Sequence, residues 1–350
     1  MNRDRKTVKP RLTWEILTLK LCNPFNLSYG SSDTRQAFWL RLADDAGWGE
    51  GTIPPYYGVS QEDMIACWQH AAARSDPWPE DPADVAAWVG LEGPAPARSA
   101  LELALYDRIG RQRNLPLYRL LDLPKPAPMP TSFTITIDTP AAMAKMAAEI
   151  SAYPVIKIKL GSKDGLDEDR LAAIRAARPD ARLRLDANAG WTRAEAAQRI
   201  RALERFDLEM IEQPLEKMDI EGLGLLQKTT PIPIVADEAV QSLQDVERLA
   251  AGGVRGVNLK LMKLGGLTPT LRILRRSSEL GLRVMLGCMI ETSIGVTAMA
   301  HLAGMAEWLD LDAPILISND PFQGVMIDAQ ATLSLGDRPG IGVVRRPSSG

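Results

Sequence analysis

At 350 residues the chain is longer than one ordinary domain, which points to one large barrel with an added domain or to two domains. A formal net charge of −3, from 41 Lys and Arg against 44 Asp and Glu, offers no basic stripe and argues against a nucleic-acid partner. Three scattered cysteines, Cys22, Cys67 and Cys288, argue against a disulfide framework or a thiolate metal site, and two histidines, His70 and His301, against a His-based triad or zinc site. The charged start, Met1 to Lys6, leads into no apolar run, and no later stretch approaches the apolar length of a membrane helix. A soluble, unexported, cytoplasmic protein is therefore expected.

Taken in order, Leu12, Trp14 and Ile16, then Ala37 to Leu42, alternate like strands, with a turn-rich loop from Asn23 to Ser32 between them. A glycine-rich second loop runs from Gly47 to Thr52 and on through Pro54, Pro55, Tyr56, Tyr57 and Gly58. Its composition suits a lid as well as an ordinary hairpin end. From Gln61 to Leu121 the pattern is helical, so the N-terminal part reads as an α+β unit. Pro124 to Pro130 reads as a linker, because prolines at that density resist both helix and sheet. A series of βα units follows, with approximate strand starts at Thr131, Val155, Leu183, Leu208, Ile232, Val257, Arg283 and Leu309. That is about the eight strands a (β/α) barrel needs. Thr192 to Glu195 and Ser242 to Asp245 look like helix N-caps, and Thr268 is expected to cap a helix that begins at Pro269. A doubly wound sheet is the runner-up, but it would not bring the ends of successive strands to one point. The tail from about Arg345 to Gly350 is expected to be disordered.

Within this series Val155 to Leu160 carries Lys157 and Lys159 two residues apart. Residues so spaced on a strand share a face, and two buried ammonium groups need a polar cavity with negative charge nearby. Later strand-like runs close on Asp186, Glu212 and Asp237, and the next presents Asn258 and Lys260 at the same spacing. In a barrel these ends surround one cavity. Three convergent carboxylates repel unless a hard cation neutralises them, and an all-oxygen set favours Mg²⁺, with Mn²⁺ as a substitute, over zinc. A metal between two lysines suits proton abstraction beside a carboxylate: the cation holds the enediolate oxygens and one lysine works on each face of the carbon. Lys263 has the opposite parity and reads as a loop or surface residue.

Lys157-Ile158-Lys159, Asp186-Ala187-Asn188, Glu212-Gln213-Pro214, Ala236-Asp237-Glu238 and Asn258-Leu259-Lys260 resemble, in that order, the muconate lactonizing enzyme subgroup of the enolase superfamily, from about Leu12 to Val344. The resemblance implies an α/β fold, a modified TIM barrel (β/α)₇β with an α+β capping domain. Residues 1–125 would form the capping domain, with lid loops near 23–34 and 50–60, 126–320 the barrel, and 321–350 a segment returning to the cap. It also implies Asp186, Glu212 and Asp237 as metal ligands and Lys159 and Lys260 as acid/base lysines. Asp310 and Asp312 share a face on the last strand, a site for a cation. The pair resembles the dipeptide epimerases related to L-Ala-D/L-Glu epimerase, where it binds the α-ammonium group. Thr134, Cys288 and Ile290 match substrate-contacting positions, and Lys157 would bind the substrate carboxylate.

Members acting on Ala-Glu carry an arginine in the first lid loop, whereas Phe25 to Thr34 contains none and Gly30 stands in its place. Tyr56 and Tyr57 would then favour an apolar or cationic second residue. The resemblance implies a Mg²⁺-dependent dipeptide epimerase, an isomerase inverting the α-carbon of the C-terminal residue by two-lysine 1,1-proton transfer. The alternatives are a cycloisomerase, o-succinylbenzoate synthase or N-acylamino-acid racemase of the same subgroup. The expected partner is a small dipeptide, with no nucleic acid or membrane; a homo-oligomer is compatible, although no stretch specifies an interface.

Overall fold

The computed structural model describes residues 11–27, 30–54 and 57–347. The charged start Met1 to Lys6, Tyr29 of the first expected lid, Pro55 and Tyr56 of the second and the tail end Ser348 to Gly350 lie outside the described residues.

The N-terminal part opens with an antiparallel sheet of β1 (Leu12–Leu27), β2 (Gly30–Leu42) and β3 (Trp48–Thr52). The stretch expected as a loop from Asn23 to Ser32 is instead the far end of the β1–β2 hairpin. After a register shift between Lys20 and Phe25, Phe25 pairs with Ser32, Asn26 with Ser31 and Leu27 with Gly30. The irregularity absorbs Pro24, which has no N–H to give to a ladder. Contacts to the loop just past Ile135 hold this end down: Asn26 Nδ2 donates to Ile137 O at 3.0 Å, and Ile137 N to Asn26 O at 3.1 Å.

The glycines at 47, 49 and 51 belong mainly to β3, and they are there for packing. Helices α1 (Gln61–Ala73), α2 (Val85–Val89), α3 (Ala95–Arg113) and α4 (Leu117–Leu120) cover the sheet, and a Cβ on Gly49 would stand 1.9 Å from Ala100 O of α3. Alternate glycines thus let a helix with alanines cross in backbone contact, while Trp48, Glu50 and Thr52 point the other way.

After the proline stretch, β4 (Met129–Pro130) joins a small sheet described below, and the barrel follows. Its strands are β5 (Phe133–Ile135), β6 (Val155–Lys159), β7 (Arg182–Asp186), β8 (Leu208–Glu212), β9 (Ile234–Ala236), β10 (Gly256–Leu259), β11 (Arg283–Gly287) and β12 (Trp308–Asp310). They form one eight-stranded sheet in strict sequence order, parallel throughout. It closes on itself: Thr131 bridges Leu309, and Ser132 N donates to Leu309 O at 3.1 Å. Between strands run α5 (Pro140–Glu149), α6 (Asp167–Ala177), α7 (Arg193–Leu203), α8 (Ile220–Gln227), α9 (Leu243–Gly252), α10 (Leu261–Leu264) with α11 (Leu267–Glu279), and α12 (Ser293–Ala300); α13 (Ala313–Leu316) follows the last strand. This is the expected (β/α)₇β arrangement.

Thr192 and Glu195 form a reciprocal capping box, and Ser242 accepts from Asp245 N. Helix α11 starts earlier than expected: its N-cap is Gly266, and Thr268 and Pro269 lie in its first turn. The free N–H of Thr268 is met by the buried Glu102 carboxylate of α3, at 3.0 Å, so the cap comes from another helix.

The chain then returns to the N-terminal part. β13 (Phe322–Gln323) pairs with β16 (Val344–Arg345), while β14 (Met326–Ile327) and β15 (Thr332–Ser334) complete the small sheet with β4. Arg345, expected in a disordered tail, is therefore in a ladder opposite Phe322. Phe322 packs edge-on to Trp39 at 5.0 Å. Buried His301 accepts from Tyr118 N through Nδ1, which leaves Nε2–H to donate to Ile341 O at 3.0 Å. Burial pulls its pKa down to about 4.

Candidate active site

The register of the barrel delivers the charged residues to one end. Lys159 is opposite Asp186, and Asp186 opposite Glu212; Asp237 and Lys260 stand one residue beyond β9 and β10, and Asp310 ends β12. All are buried. The upper side of the cavity is the β1–β2 hairpin and the end of β3. Its lining includes every expected substrate residue, namely Thr134, Lys157, Cys288, Ile290, Asp310 and Asp312, together with Lys159 and Lys260.

Acids and ammonium groups alternate around this mouth. Lys159 Nζ lies 2.7 Å from Asp186 Oδ2, and Lys260 Nζ 2.8 Å from Asp237 Oδ2. Lys157 Nζ sits among three carboxylates, 2.7 Å from Asp310, 2.8 Å from Glu212 and 3.0 Å from Asp186. Burial pushes the Asp186 carboxyl up, but Lys157 and Lys159 prevail and hold it at about 2. Asp237 likewise lies well below the ordinary range, burial being overcome by Lys260 and Lys263. Glu212 goes the other way, to about 8, through burial and its neighbour Asp186. Lys157 and Lys260 are raised despite burial, by the carboxylates they face.

Lys263, expected at the surface, is fully enclosed. Its Nζ donates to Asp237 O at 2.5 Å, to Asp237 Oδ1 and to Asn258 O at 3.0 Å. The parity argument failed because the chain turns into α10 directly after Lys260, so strand alternation no longer applies. Burial lowers its pKa, against the pull of Asp237. Gly287 leaves the room Lys260 needs, since a Cβ there would stand 3.0 Å from Lys260 Cε.

Further side chains at the mouth were given no role from the sequence, although Gln213, Glu238 and Asn188 lie within its motifs. Ser132 Oγ donates to Asp310 Oδ1 at 2.6 Å; its spacing from Thr134 was the available signal. Gln213 Oε1 accepts from Asp237 N and Ala239 N, fixing the turn that carries Asp237. Glu238 accepts from Asn188 Nδ2 at 3.2 Å, and burial together with Asp237 raises it to about 7. Arg35, one residue past the stretch searched for a basic side chain, also lines the cavity. Tyr57 is given instead to the cation of Lys217, 5.4 Å from its ring centre, and is absent from the lining.

Asp310 and Asp312 differ in their partners: Asp310 has an ion pair with Lys157, and Asp312 has none among the described residues. Asp310 is held down against burial by Lys157, whereas burial and Asp310 raise Asp312 to about 7, with Thr134 N donating to its Oδ2 at 2.9 Å. Asp312 therefore has attraction to spare for a cation beside Thr134.

As these side chains stand, no three His, Cys, Asp or Glu groups among the described residues surround a point at metal-ligand distances, because ammonium groups lie between the acids. The donor set nevertheless fits a hard divalent cation: Asp186, Glu212 and Asp237 are all-oxygen and buried, and Glu238 Oε2 and Asn258 Oδ1 are buried beside them with no hydrogen-bond partner among the described residues.

The family described as enolase C-terminal domain-like matches residues 140–348. An L-Ala-D/L-Glu epimerase from Bacteroides thetaiotaomicron is 32% identical over 345 residues, 96% of this chain and 88% of that protein. A hydrophobic dipeptide epimerase from Enterococcus faecalis is 38% identical over 256 residues, 71% of this chain and 72% of that protein. The crystal structure of a dipeptide epimerase from Enterococcus faecalis V583, complexed with Mg and L-Leu-L-Tyr, superposes with a TM-score of 0.88 at 31% identity, covering 95% of this chain and 98% of the other.

Proposed function

The chain belongs to the enolase superfamily, and from that premise we propose that it is a dipeptide epimerase, an isomerase inverting the α-carbon of the C-terminal residue of a dipeptide. The observation that carries the reading is the cavity itself. It holds a lysine on each side of an acid ring and, beside them, the Asp310–Asp312 pair with one carboxyl short of positive charge.

In this reading Asp312 and Asp310 take the α-ammonium group of the first residue, and Thr134 keeps Asp312 oriented. Lys157, fixed by three carboxylates, puts positive charge beside the substrate carboxylate. The α-carbon then lies between Lys159 and Lys260. One lysine, as the amine, removes the proton from one face; the other, as the ammonium, returns a proton to the opposite face, and the roles exchange for the reverse reaction. A divalent cation held by Asp186, Glu212 and Asp237 would supply positive charge beside the substrate carboxylate and take up the negative charge that Lys159 and Lys260 otherwise share. Lys263 and Gln213 keep Asp237 in place, and the β1–β2 hairpin roofs the cavity against water.

The test replaces both Asp310 and Asp312 by asparagine and follows α-proton exchange of dipeptides and of N-succinylamino acids with Mg²⁺. Dipeptide turnover is expected to disappear while N-acyl compounds, which bring no ammonium, are unaffected or improve. Undiminished dipeptide turnover would overturn the reading.

A further inference from the structure

The relatives differ over which side chains they accept, L-Ala-D/L-Glu in one and hydrophobic dipeptides in the other. Resting on the dipeptide reading, we propose that Arg35 binds an acidic side chain of the substrate, so that this enzyme acts on dipeptides containing glutamate or aspartate.

Arg35 lies on β2 opposite Leu19 of β1 and two residues before Ala37. Leu19 and Ala37 form a buried cluster with Ile317, against which Ile290 packs, so this face of the hairpin is turned toward the barrel mouth. Arg35 is on that face and lines the cavity with Phe25, Leu27 and Ile53. It is half-buried, and no carboxylate among the described residues lies within ion-pair distance; its hydrogen bond is to the carbonyl of its neighbour, Thr34 O, at 3.0 Å. The other cations lining the cavity, Lys157, Lys159 and Lys260, are each matched by an acid. A guanidinium carries donors in a fork that fits a carboxylate, and over a partly dry cavity it retains that demand.

The main chain of a dipeptide does not meet it. Its ammonium goes to Asp310 and Asp312, and its carboxylate must lie at the mouth for the α-carbon to reach Lys159 and Lys260. A carboxylate on a side chain is the complementary group left. Of the two lid tyrosines expected to favour an apolar or cationic side chain, Tyr57 faces Lys217 and does not line the cavity.

The test compares kcat/KM for L-Ala-L-Glu with its uncharged isostere L-Ala-L-Gln, and for L-Glu-L-Ala with L-Gln-L-Ala, in the unmodified enzyme, Arg35→Met and Arg35→Lys. Each acid-to-amide ratio is independent of how much of a variant folds. A preference for the acid of at least about tenfold in one pair is expected, falling toward one in Arg35→Met and partly kept in Arg35→Lys. Equal use of acid and amide by the unmodified enzyme, or a ratio unchanged in Arg35→Met, would overturn the proposal and leave the dipeptide reading standing. Absence of turnover with every dipeptide, L-Ala-L-Leu included, would overturn both.

Discussion

Two buried acid clusters lie a few residues apart in this molecule and have been solved differently. At the barrel mouth Asp186, Glu212, Asp237 and Asp310 are interleaved with Lys157, Lys159, Lys260 and Lys263. At the seam where β3 meets α12, Glu50 and Glu291 converge on Gly295, with Asp320 nearby. Here the partners are uncharged donors: Glu50 accepts from Thr292 N at 2.8 Å, Thr292 Oγ1 at 2.7 Å and Gly295 N at 2.9 Å, and Glu291 from Met289 N at 2.7 Å. Asp186 and Asp237 fall below the ordinary carboxyl range, while burial raises Glu50 to about 7 and Glu291, further pushed by Glu50, to about 8. Dipolar donors lower the cost of burying a carboxylate, but only a full cation reverses it. Glu212 marks the boundary, since it touches Lys157 yet rises to about 8 between Asp186 and Asp237. The mouth therefore pairs its acids with cations, whereas the seam raises the affinity of its acids for protons.

The sharpest way to break this contrast is to remove a cation to which the proposed mechanism gives the proton transfer. Lys159→Ala and Lys260→Ala should each lower the epimerisation rate by roughly 10²–10⁴-fold, the range for loss of a positioned acid or base, with circular dichroism unchanged.

Lys263→Met removes a cation that touches only protein. Leaving the Asp237 carboxylate with one buried partner fewer should cost about 3–5 kcal/mol of stability by urea denaturation and weaken Mg²⁺ binding measured by calorimetry.

At the seam Glu50→Gln should cost less, because burial raises the native carboxyl to about 7 and the groups it accepts from are uncharged. Folded values of about 7 and 8 lie above the ordinary 4.5, so the folded chain retains protons that the unfolded chain has released. That contribution is present below about pH 4.5 and is lost as pH rises through 7 to 8. The melting temperature of Glu50→Gln minus that of the unmodified protein should therefore rise with pH over that window; a flat difference would contradict the account.

The smallest effect belongs to His301. With its folded value depressed from 6.5 to about 4, the folded chain resists protonation, and stability is lost as pH falls through that interval. His301→Asn should remove that part of the acid sensitivity in the same melting experiment.

Much of the mouth was legible because strand periodicity and barrel topology are strong constraints. Lys157 and Lys159 had to share a face, and residues ending successive strands had to meet, so Asp186, Glu212, Asp237, Lys260 and Asp310 were found without coordinates. Legibility stopped where the chain leaves a strand. Lys263 follows a turn into α10, and no period relates it to Lys260. The seam was hidden for another reason: Glu50 and Glu291 are 241 positions apart, and they meet where the face of β3 opposite its glycines packs on α12. The Gly-x-Gly-x-Gly alternation was itself the missed signal, a strand pattern read as a loop, either a lid or a hairpin end. The hairpin end at Phe25 to Ser32 was misread likewise, because turn-forming residues outvoted cross-strand pairing set by a distant register.

The most direct test of the central claim is to epimerise an L,L-dipeptide in D₂O with Mg²⁺ and locate the deuterium by NMR. Deuterium is expected at the α-carbon of the C-terminal residue alone, with interconversion of the epimers slowed at least about 10²-fold in both Lys159→Ala and Lys260→Ala. Deuterium at the N-terminal α-carbon, or interconversion at an undiminished rate in either lysine variant, would contradict that claim.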